Sequence, residues 1–325
     1  MITTCIIDNY NYARYLSEAI ESALSQSVPF DEIIIVDDGS SDRSIEIIEI
    51  YEKNFSQIKS IMKMNGGQLS AFNRGFEDSD GDVIAFLDAD DFYENNFLEE
   101  MLKIFDMFDD VDHIFCDSLI VNQNSEVQTV KERYRYKNDI HFGKTAVKTF
   151  NLYSWTGNST SMNIFRRGIL EKILPFDMED TFRISADRPI IMGVSLASGG
   201  KYYLKKTLVN YRIHGENLYQ ENSKIKSRYY EYDRRLINEK MFGKILERVG
   251  IEESYFRTLI LEEFLSKPTK NRRETMTYLM MVWSSVEAVF TKLLISTKIL
   301  WAFIIQKGTI PIKRVLYDNE KMKKH

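Results

Sequence analysis

Residues 84–95 read "IAFLDADDFYEN", an apolar run that ends in three carboxylates, Asp88, Asp90 and Asp91. Ile, Ala, Phe and Leu in unbroken succession, closed by acids that favour turns, suit a strand buried on both faces. The same design recurs on either side of it. "TTCIID" and "EIIIVD" are short β-branched runs that finish on Asp8 and on Asp37 with Asp38, and "DHIFCD" finishes on Asp117. "IKSIMKM" reads as one more strand. Between these runs lie "YARYLSEAIESALSQ", "SSDRSIEIIEIYEKN", "QLSAFNRGFEDS" and "NNFLEEMLKIFDMF", with apolar residues at helical spacing. This alternation predicts an α/β fold, a mainly parallel sheet flanked by helices in a Rossmann-like, nucleotide-binding half.

In open α/β sheets the ligand crevice lies beyond the carboxyl ends of the strands, so these acids are expected on one rim. Each alone is also an ordinary turn or cap residue, Asp117 most of all. Carboxylates gathered in a partly desolvated crevice raise one another's pKa unless protons or a cation compensate. Oxygen ligands in a D-x-D arrangement suit a hard divalent ion, Mg²⁺ or Mn²⁺, which keeps positions open for phosphate oxygens. Acidic triplets are common in loops, so other stretches must add specificity. "VDDGSSD" (36–42) is a strand end, a Gly turn and a capped helix; "NGGQLSAFNRG" (65–75) sets two glycines before Asn73 and Arg74. Gly66 and Gly67 permit a tight turn and close approach of a ligand, and Arg74 is a counter-charge for a phosphate or a carboxylate. A plain strand-to-helix loop explains the glycines equally well.

At 325 residues with 44% hydrophobic content, the chain is large enough for one substantial domain and an appendage. A net charge of -5 gives no general basic surface, and nucleic acid is not an expected partner. Cys5 and Cys116 sit in β-like runs and are expected as buried thiols in a reducing compartment. The N-terminus opens into a strand without the regions of a secretion signal, so the expected location is cytoplasmic. From Tyr278 to Ile305 the chain is strongly apolar, but Glu287, Lys292 and Lys298 interrupt it and argue against a membrane span. A helix or helical pair docked on the main domain, a second subunit or a membrane surface is expected instead, ordinary core packing being the commonest reason for such a stripe. The closing "QKGTIPIKRVLYDNEKMKKH" is basic and is expected to fray.

"CIIDNYNYARYLSEAIESALSQS", "DEIIIVDDGSSD", "NGGQLSAFNRG" and "GDVIAFLDADD", in this order, resemble the N-terminal half of family 2 inverting glycosyltransferases of the GT-A fold. The likeness covers roughly the first 100 residues, is looser in the middle and is nearly absent from the last hundred. It implies inverting transfer from a nucleoside-diphosphate sugar, a UDP-sugar being the expected donor, assisted by Mn²⁺ or Mg²⁺. By position, Asn9 and Tyr10 fall where the family's first loop meets the nucleotide, and Asp38 where an acid reads the base, supported by Asp37. Gly67, Asn73 and Arg74 belong to the donor side. Asp88 and Asp90 match the D-x-D, Asp90 as the direct metal ligand and Asp88 as its companion nearer the ribose or sugar; Asp91 points to the sugar. Asp8 departs from the family, which commonly has Pro there.

Inverting transfer also needs a base for the acceptor hydroxyl. "DTFRISADRPIIMGVSLAS" offers Asp187 ahead of an apolar helical run, resembling the family's acid at the start of a helix beneath the acceptor; helix capping, with Pro189 in the first turn, is a compatible role. Glu179 and Asp180 are rivals in a more polar loop. "TLVNYRIHGENLY" supplies His214, which resembles the family's histidine near the metal or diphosphate, and Arg212, a weaker candidate for phosphate. In "YSWTGNSTSMNIFRRG" (153–168), Trp155 is a candidate acceptor wall, core packing being the alternative.

The resemblance thus predicts a GT-A catalytic domain over residues 1–220, with a nucleotide-sugar half at 1–117 and an acceptor half at 118–220, followed by a helical C-terminal extension at 221–325. The implied acceptor is a hydroxyl on a glycan, lipid-linked or protein precursor of a bacterial surface polysaccharide. Peripheral contact with the cytoplasmic membrane face, or a homodimer, would use the C-terminal helices. Other readings are a sugar nucleotidyltransferase, which would be expected to show a Gly-rich phosphate loop after its first strand where this chain has "DNYNYARYL", and a non-catalytic nucleotide-sugar-binding relative. "IVDDGS" also has a superficial likeness to a phosphoacceptor domain, but such chains are far shorter and place their acids after the first strand.

Overall fold

A computed structural model describes residues 1–131, 136–215, 230–285 and 289–308 of the chain. The first four strands, β1 (Thr3–Asn9), β2 (Glu32–Asp37), β3 (Ile58–Met62) and β4 (Val83–Asp88), lie parallel in the order β3-β2-β1-β4. Helices α1 (Ala13–Leu24), α2 (Ser44–Asn54) and α3 (Gln68–Glu77) make the crossovers. Alternate side chains of each strand enter opposite layers, as the pleat requires. Ile6, Ile34 and Val36 pack with Phe72 of α3 on one face; Cys5, Ile7, Ile33 and Ile35 pack with Leu16 and Ile20 of α1 on the other. Each fully buried Ile or Leu contributes about 1.5–3 kcal/mol, which is why the middles of β1, β2 and β4 are apolar throughout.

The rest of the sheet is built by β5 (Phe92–Tyr93), α4 (Phe97–Met107), β6 (His113–Val121), β7 (Val127–Lys131), β8 (Ile140–Gly143), α5 (Ala146–Leu152), β9 (Asn163–Arg166), α6 (Arg167–Leu170), α7 (Asp187–Leu196) and β10 (Lys201–Arg212). The expected parallel succession from β4 to β6 is interrupted by β9, which runs antiparallel to both. β10 then pairs parallel with β6 and antiparallel with β5. Strand β6 also runs four residues past Asp117, which is buried inside the sheet and accepts a hydrogen bond from the Tyr203 hydroxyl at 2.5 Å. Asp117 is therefore a strand residue, and the expectation that it ends β6 on the rim is corrected. Cys5 and Cys116 are buried free thiols; burial pushes both above the ordinary thiol range, which makes them inert.

Among the described residues, helices α8 (Tyr230–Val249), α9 (Glu253–Thr258), α10 (Ile260–Ser266), α11 (Arg272–Ser284) and α12 (Val289–Gly308) follow. Met241, Phe242, Phe264, Tyr278, Met281 and Ile299 join the same buried cluster as Phe72 and Phe86, so these helices share the core of the α/β domain. A buried polar clamp reinforces the join. Glu263 accepts from the Val147 backbone at 2.7 Å and the Tyr278 hydroxyl at 2.5 Å, while Lys148 pairs with Glu274 at 2.6 Å. Among the described residues no helix is long and apolar enough to cross a membrane. The expected boundary near residue 220, Glu287 and most of the terminal basic segment lie outside the described residues.

Candidate active site

The parallel register sets Asp8 directly beside Asp88, and Asn9 beside Asp37, at the carboxyl ends of adjacent strands. This is the rim where the sheet geometry expects a ligand. The carboxylate oxygens of Asp88, Asp90 and Asp91 meet within 4.8 Å of one another. Burial and the facing Asp90 charge push Asp8 up to about 8. Burial, followed by Asp8, Asp91, Asp90 and Asp187, holds Asp88 well above the carboxylate range. Carboxyls this close must share either a proton or a cation. Asp8 Oδ1 is buried without a hydrogen-bond partner, and the donors are hard oxygens, so the residues present fit a divalent cation such as Mn²⁺ or Mg²⁺.

The loop that carries these acids is anchored from two sides. Since β5 follows it directly and pairs with β10, Arg212 at the end of β10 lies against it. The Arg212 backbone N–H donates to Asp91 Oδ1 at 2.8 Å, and its Nε donates to the Asp90 carbonyl at 2.7 Å. The rest of the guanidinium, 1% exposed, reaches Glu18 at 2.5 Å, the Asn122 carbonyl at 3.1 Å and Ser125 at 3.0 Å, between the rings of Tyr15 and Phe92. From the other side Ser161 donates to Asp91 Oδ2 at 2.6 Å and accepts from the Asp88 backbone at 3.2 Å. Asp91 is thus a buried anchor with a bond on each oxygen. Arg212 is a brace of the loop.

His214 stands next to Asp90, its Nε2 3.0 Å from Oδ2, with its ring packed between Tyr12 and Tyr15. The nitrogen nearest the acids is engaged by a carboxylate, a contact that orients Asp90. Tyr12 and Tyr211 also border the group: burial and the surrounding Asp charges raise both phenols.

Asp187 begins α7, and its charge is among those that act on Asp88. Gln68 makes the connection. Its Nε2 donates to Asp88 Oδ1 at 2.8 Å and its Oε1 accepts from the Ala186 backbone at 3.0 Å, one residue before Asp187. The backbones also dock, Gln68 N–H donating to the Arg183 carbonyl at 2.9 Å. Gly67 allows this approach: its φ is +89°, and a Cβ there would lie 2.5 Å from Arg183 Cα.

The nucleotide-side residues are brought to the rim with their own partners. Asn9 donates to Asp37 at 2.9 Å, and Asp37 also accepts from the Ser40 backbone at 2.8 Å. Asp38 accepts from the Gly66 and Gly67 backbones at 2.9 and 2.7 Å and from Lys63 at 2.5 Å, so it braces the glycine turn. Tyr10 is exposed at the end of β1. Two expected donor residues are not brought to the group. Asn73 is buried and bonded to the Phe176 backbone and to Glu179, while Arg74 pairs with Asp78 one turn along α3 at 2.7 Å. Both lie on α3 beyond its first turn, which carries them away from the strand ends. Glu179, the rival base, is engaged with Asn73. Trp155 is partly buried against the hydrophobic core, the alternative its sequence context had offered.

Sequence reasoning did not single out Gln68, Ser161, Tyr12 or Tyr211. All four lie inside quoted stretches, but only the fold brings them to the acids, Gln68 and Ser161 by hydrogen bonds and the two tyrosines as neighbours of the charges.

Comparison with known proteins agrees with this geometry. Residues 4–174 match the model of "Glycosyl transferase family 2". An uncharacterized glycosyltransferase of Nostoc is 38% identical over 219 residues, 67% of this chain and 66% of that protein. An uncharacterized glycosyltransferase of Rickettsia typhi is 36% identical over 140 residues, 42% of this chain and 43% of that one. The chain therefore spans less than two thirds of the length of these relatives. The S. aureus TarS 1–349 structures with UDP and with UDP-GlcNAc superpose with a TM-score of 0.54 at 17% and 16% identity, covering 87% of this chain and 71% and 72% of theirs; at that identity they bear on the fold, which is GT-A. With the fold and the acid rim in place, the family match over more than half of its length shows that this chain belongs to glycosyl transferase family 2.

Proposed function

We propose that the chain carries out metal-dependent, inverting transfer of a sugar from a nucleoside-diphosphate donor, first of all a UDP-sugar, to a hydroxyl of a glycan, lipid-linked or protein precursor of a bacterial surface polysaccharide. The observation that carries this reading is the meeting of the Asp88, Asp90 and Asp91 oxygens within 4.8 Å, beside the helix that Asp187 begins. TarS structures that hold UDP and UDP-GlcNAc support the donor class.

In this reading Asp88 and Asp90 would hold the cation, with His214 Nε2 against Asp90 orienting that carboxylate toward it. When bound there, Mn²⁺ or Mg²⁺ supplies positive charge to the departing diphosphate. Asn9, Tyr10, Asp37, Asp38 and the Gly67 turn form the nucleotide side. Asp187 accepts the proton of the acceptor hydroxyl as that oxygen bonds to the anomeric carbon and the bond to the diphosphate breaks on the opposite face. Residues 1–117 serve the donor, 118–220 the acceptor, and 221–325 support both.

The test is donor hydrolysis with UDP-, GDP- and dTDP-sugars, with and without Mn²⁺. Metal-dependent release of UDP from one UDP-sugar is expected. Release of UDP at the same rate after chelation of all divalent ions contradicts the metal-dependent reading, and failure of every nucleotide sugar to bind contradicts the transferase site itself.

A further inference from the structure

We infer that α12 is a docking surface for an anionic lipid membrane and lies along that surface. The buried side of this helix carries Ile299 and Ser296, with Ile295, Ala302 and Phe303 packed against the core. At 3.6 residues per turn, Phe290, Leu294, Trp301 and Ile304 fall on the opposite face. They are 78%, 48%, 67% and 63% exposed. A helix packed on a globular body normally turns polar side chains outward. The outward face of α12 is apolar instead, and its neighbour α11 adds exposed Met276, Met280 and Trp283.

Charge identifies the occupant. The charged residues of α12 are Lys292, Lys298 and Lys307, with no acid among them. Residues 289–325 hold eight Lys or Arg against two Asp or Glu, in a chain whose total is -5. The remainder of the chain is therefore strongly acidic. A second copy docked about a two-fold axis would set this positive segment against its own like. An anionic bilayer takes both features: the apolar side chains enter the boundary between headgroups and acyl chains, with Trp at its favoured depth, while the exposed Lys298 at the edge of that face meets lipid phosphates and Lys292, on the core side, is bonded to the Trp283 carbonyl at 3.1 Å. The acidic body is repelled from the same surface, which keeps the α12 side down. The cytoplasmic leaflet, rich in anionic lipid, is the membrane face that fits.

The experiment is flotation of the full chain with vesicles of phosphatidylcholine alone or mixed with phosphatidylglycerol, at low and high salt. Binding is expected to the mixed vesicles, falling as salt rises. Trp301→Ser with Ile304→Ser is expected to reduce it by about tenfold or more, and Lys298→Glu by roughly fivefold or more, while thermal unfolding and UDP-sugar binding stay unchanged. The inference is overturned by no flotation of the intact chain, by equal flotation of the variants, or by equal binding to both vesicle types. A concentration-dependent dimer that the Trp301 and Ile304 changes dissolve also overturns it and assigns the face to a second copy.

Discussion

Gln68 holds Asp88 by its side-chain amide at 2.8 Å and, through its other side-chain atom, the backbone of Ala186 at 3.0 Å. One side chain thereby fixes the spacing between the acid rim and the helix that Asp187 begins. Donor and acceptor halves of an in-line displacement are useful only at a set separation. Gln68→Leu, which keeps the bulk and removes both bonds, is expected to lower kcat by about tenfold or more with a smaller change in donor affinity. Steady-state kinetics and a donor titration separate the two. An unchanged kcat removes Gln68 from this role.

Asp187→Asn keeps size and helix-starting capacity but takes away the proton acceptor. Donor binding is expected to persist while transfer falls by about 100-fold or more, the range for loss of a general base. Asp187→Asn protein that transfers at the wild-type rate would place the base elsewhere. Glu179, bonded to Asn73, is a poor substitute in this structure.

Arg212 braces the acid loop through geometry that only a planar fork provides. Arg212→Lys keeps the positive charge yet cannot span the Asp90 carbonyl, Glu18, Asn122 and Ser125 together. About 3 kcal/mol of stability is expected to be lost, with weaker metal-supported donor binding. Urea unfolding and a UDP titration with Mn²⁺ read the two effects.

Lys201 is fully buried, and its Nζ donates to the carbonyls of Thr156 and Ile191 at 2.8 and 2.7 Å. Burial, and then the Lys148 charge, holds it well below the ordinary lysine range. Between that lowered value and about 10.4 the unfolded chain binds a proton that the folded chain lacks, so this group's cost to stability fades as pH rises. Lys201→Met is therefore expected to gain stability over wild type, with the gain shrinking by up to about 1.4 kcal/mol per pH unit as pH rises toward ~10. His113, lowered by burial and by Lys201, titrates below this window. A stability difference independent of pH would show that Lys201 stays charged in the fold.

The parallel half of the fold was legible in the sequence because three of its four strands, β1, β2 and β4, are buried on both faces and end in a polar residue. Burial on both faces leaves a continuous apolar run, as in "EIIIVD" and "VIAFLD". β9 was not legible: it is four residues long, and its place between β4 and β6 comes from long-range pairing. The acids of the rim were legible as strand-end residues, whereas their support was not. Arg212 and Ser161 reach Asp91 across 121 and 70 positions of chain, distances over which no local pattern operates. Asn73 and Arg74 lie away from the acids because a motif fixes order along the chain, while the turn of α3 decides which of its residues face the rim.

The most direct measurement is a calorimetric titration of a UDP-sugar into wild type and Asp90→Ala, with and without Mn²⁺. The acid rim should bind the donor at least about tenfold more tightly with the ion present, and Asp90→Ala should abolish that difference while unfolding at the same temperature. Equal donor affinity with and without Mn²⁺, or a full metal effect surviving in Asp90→Ala, would contradict the account.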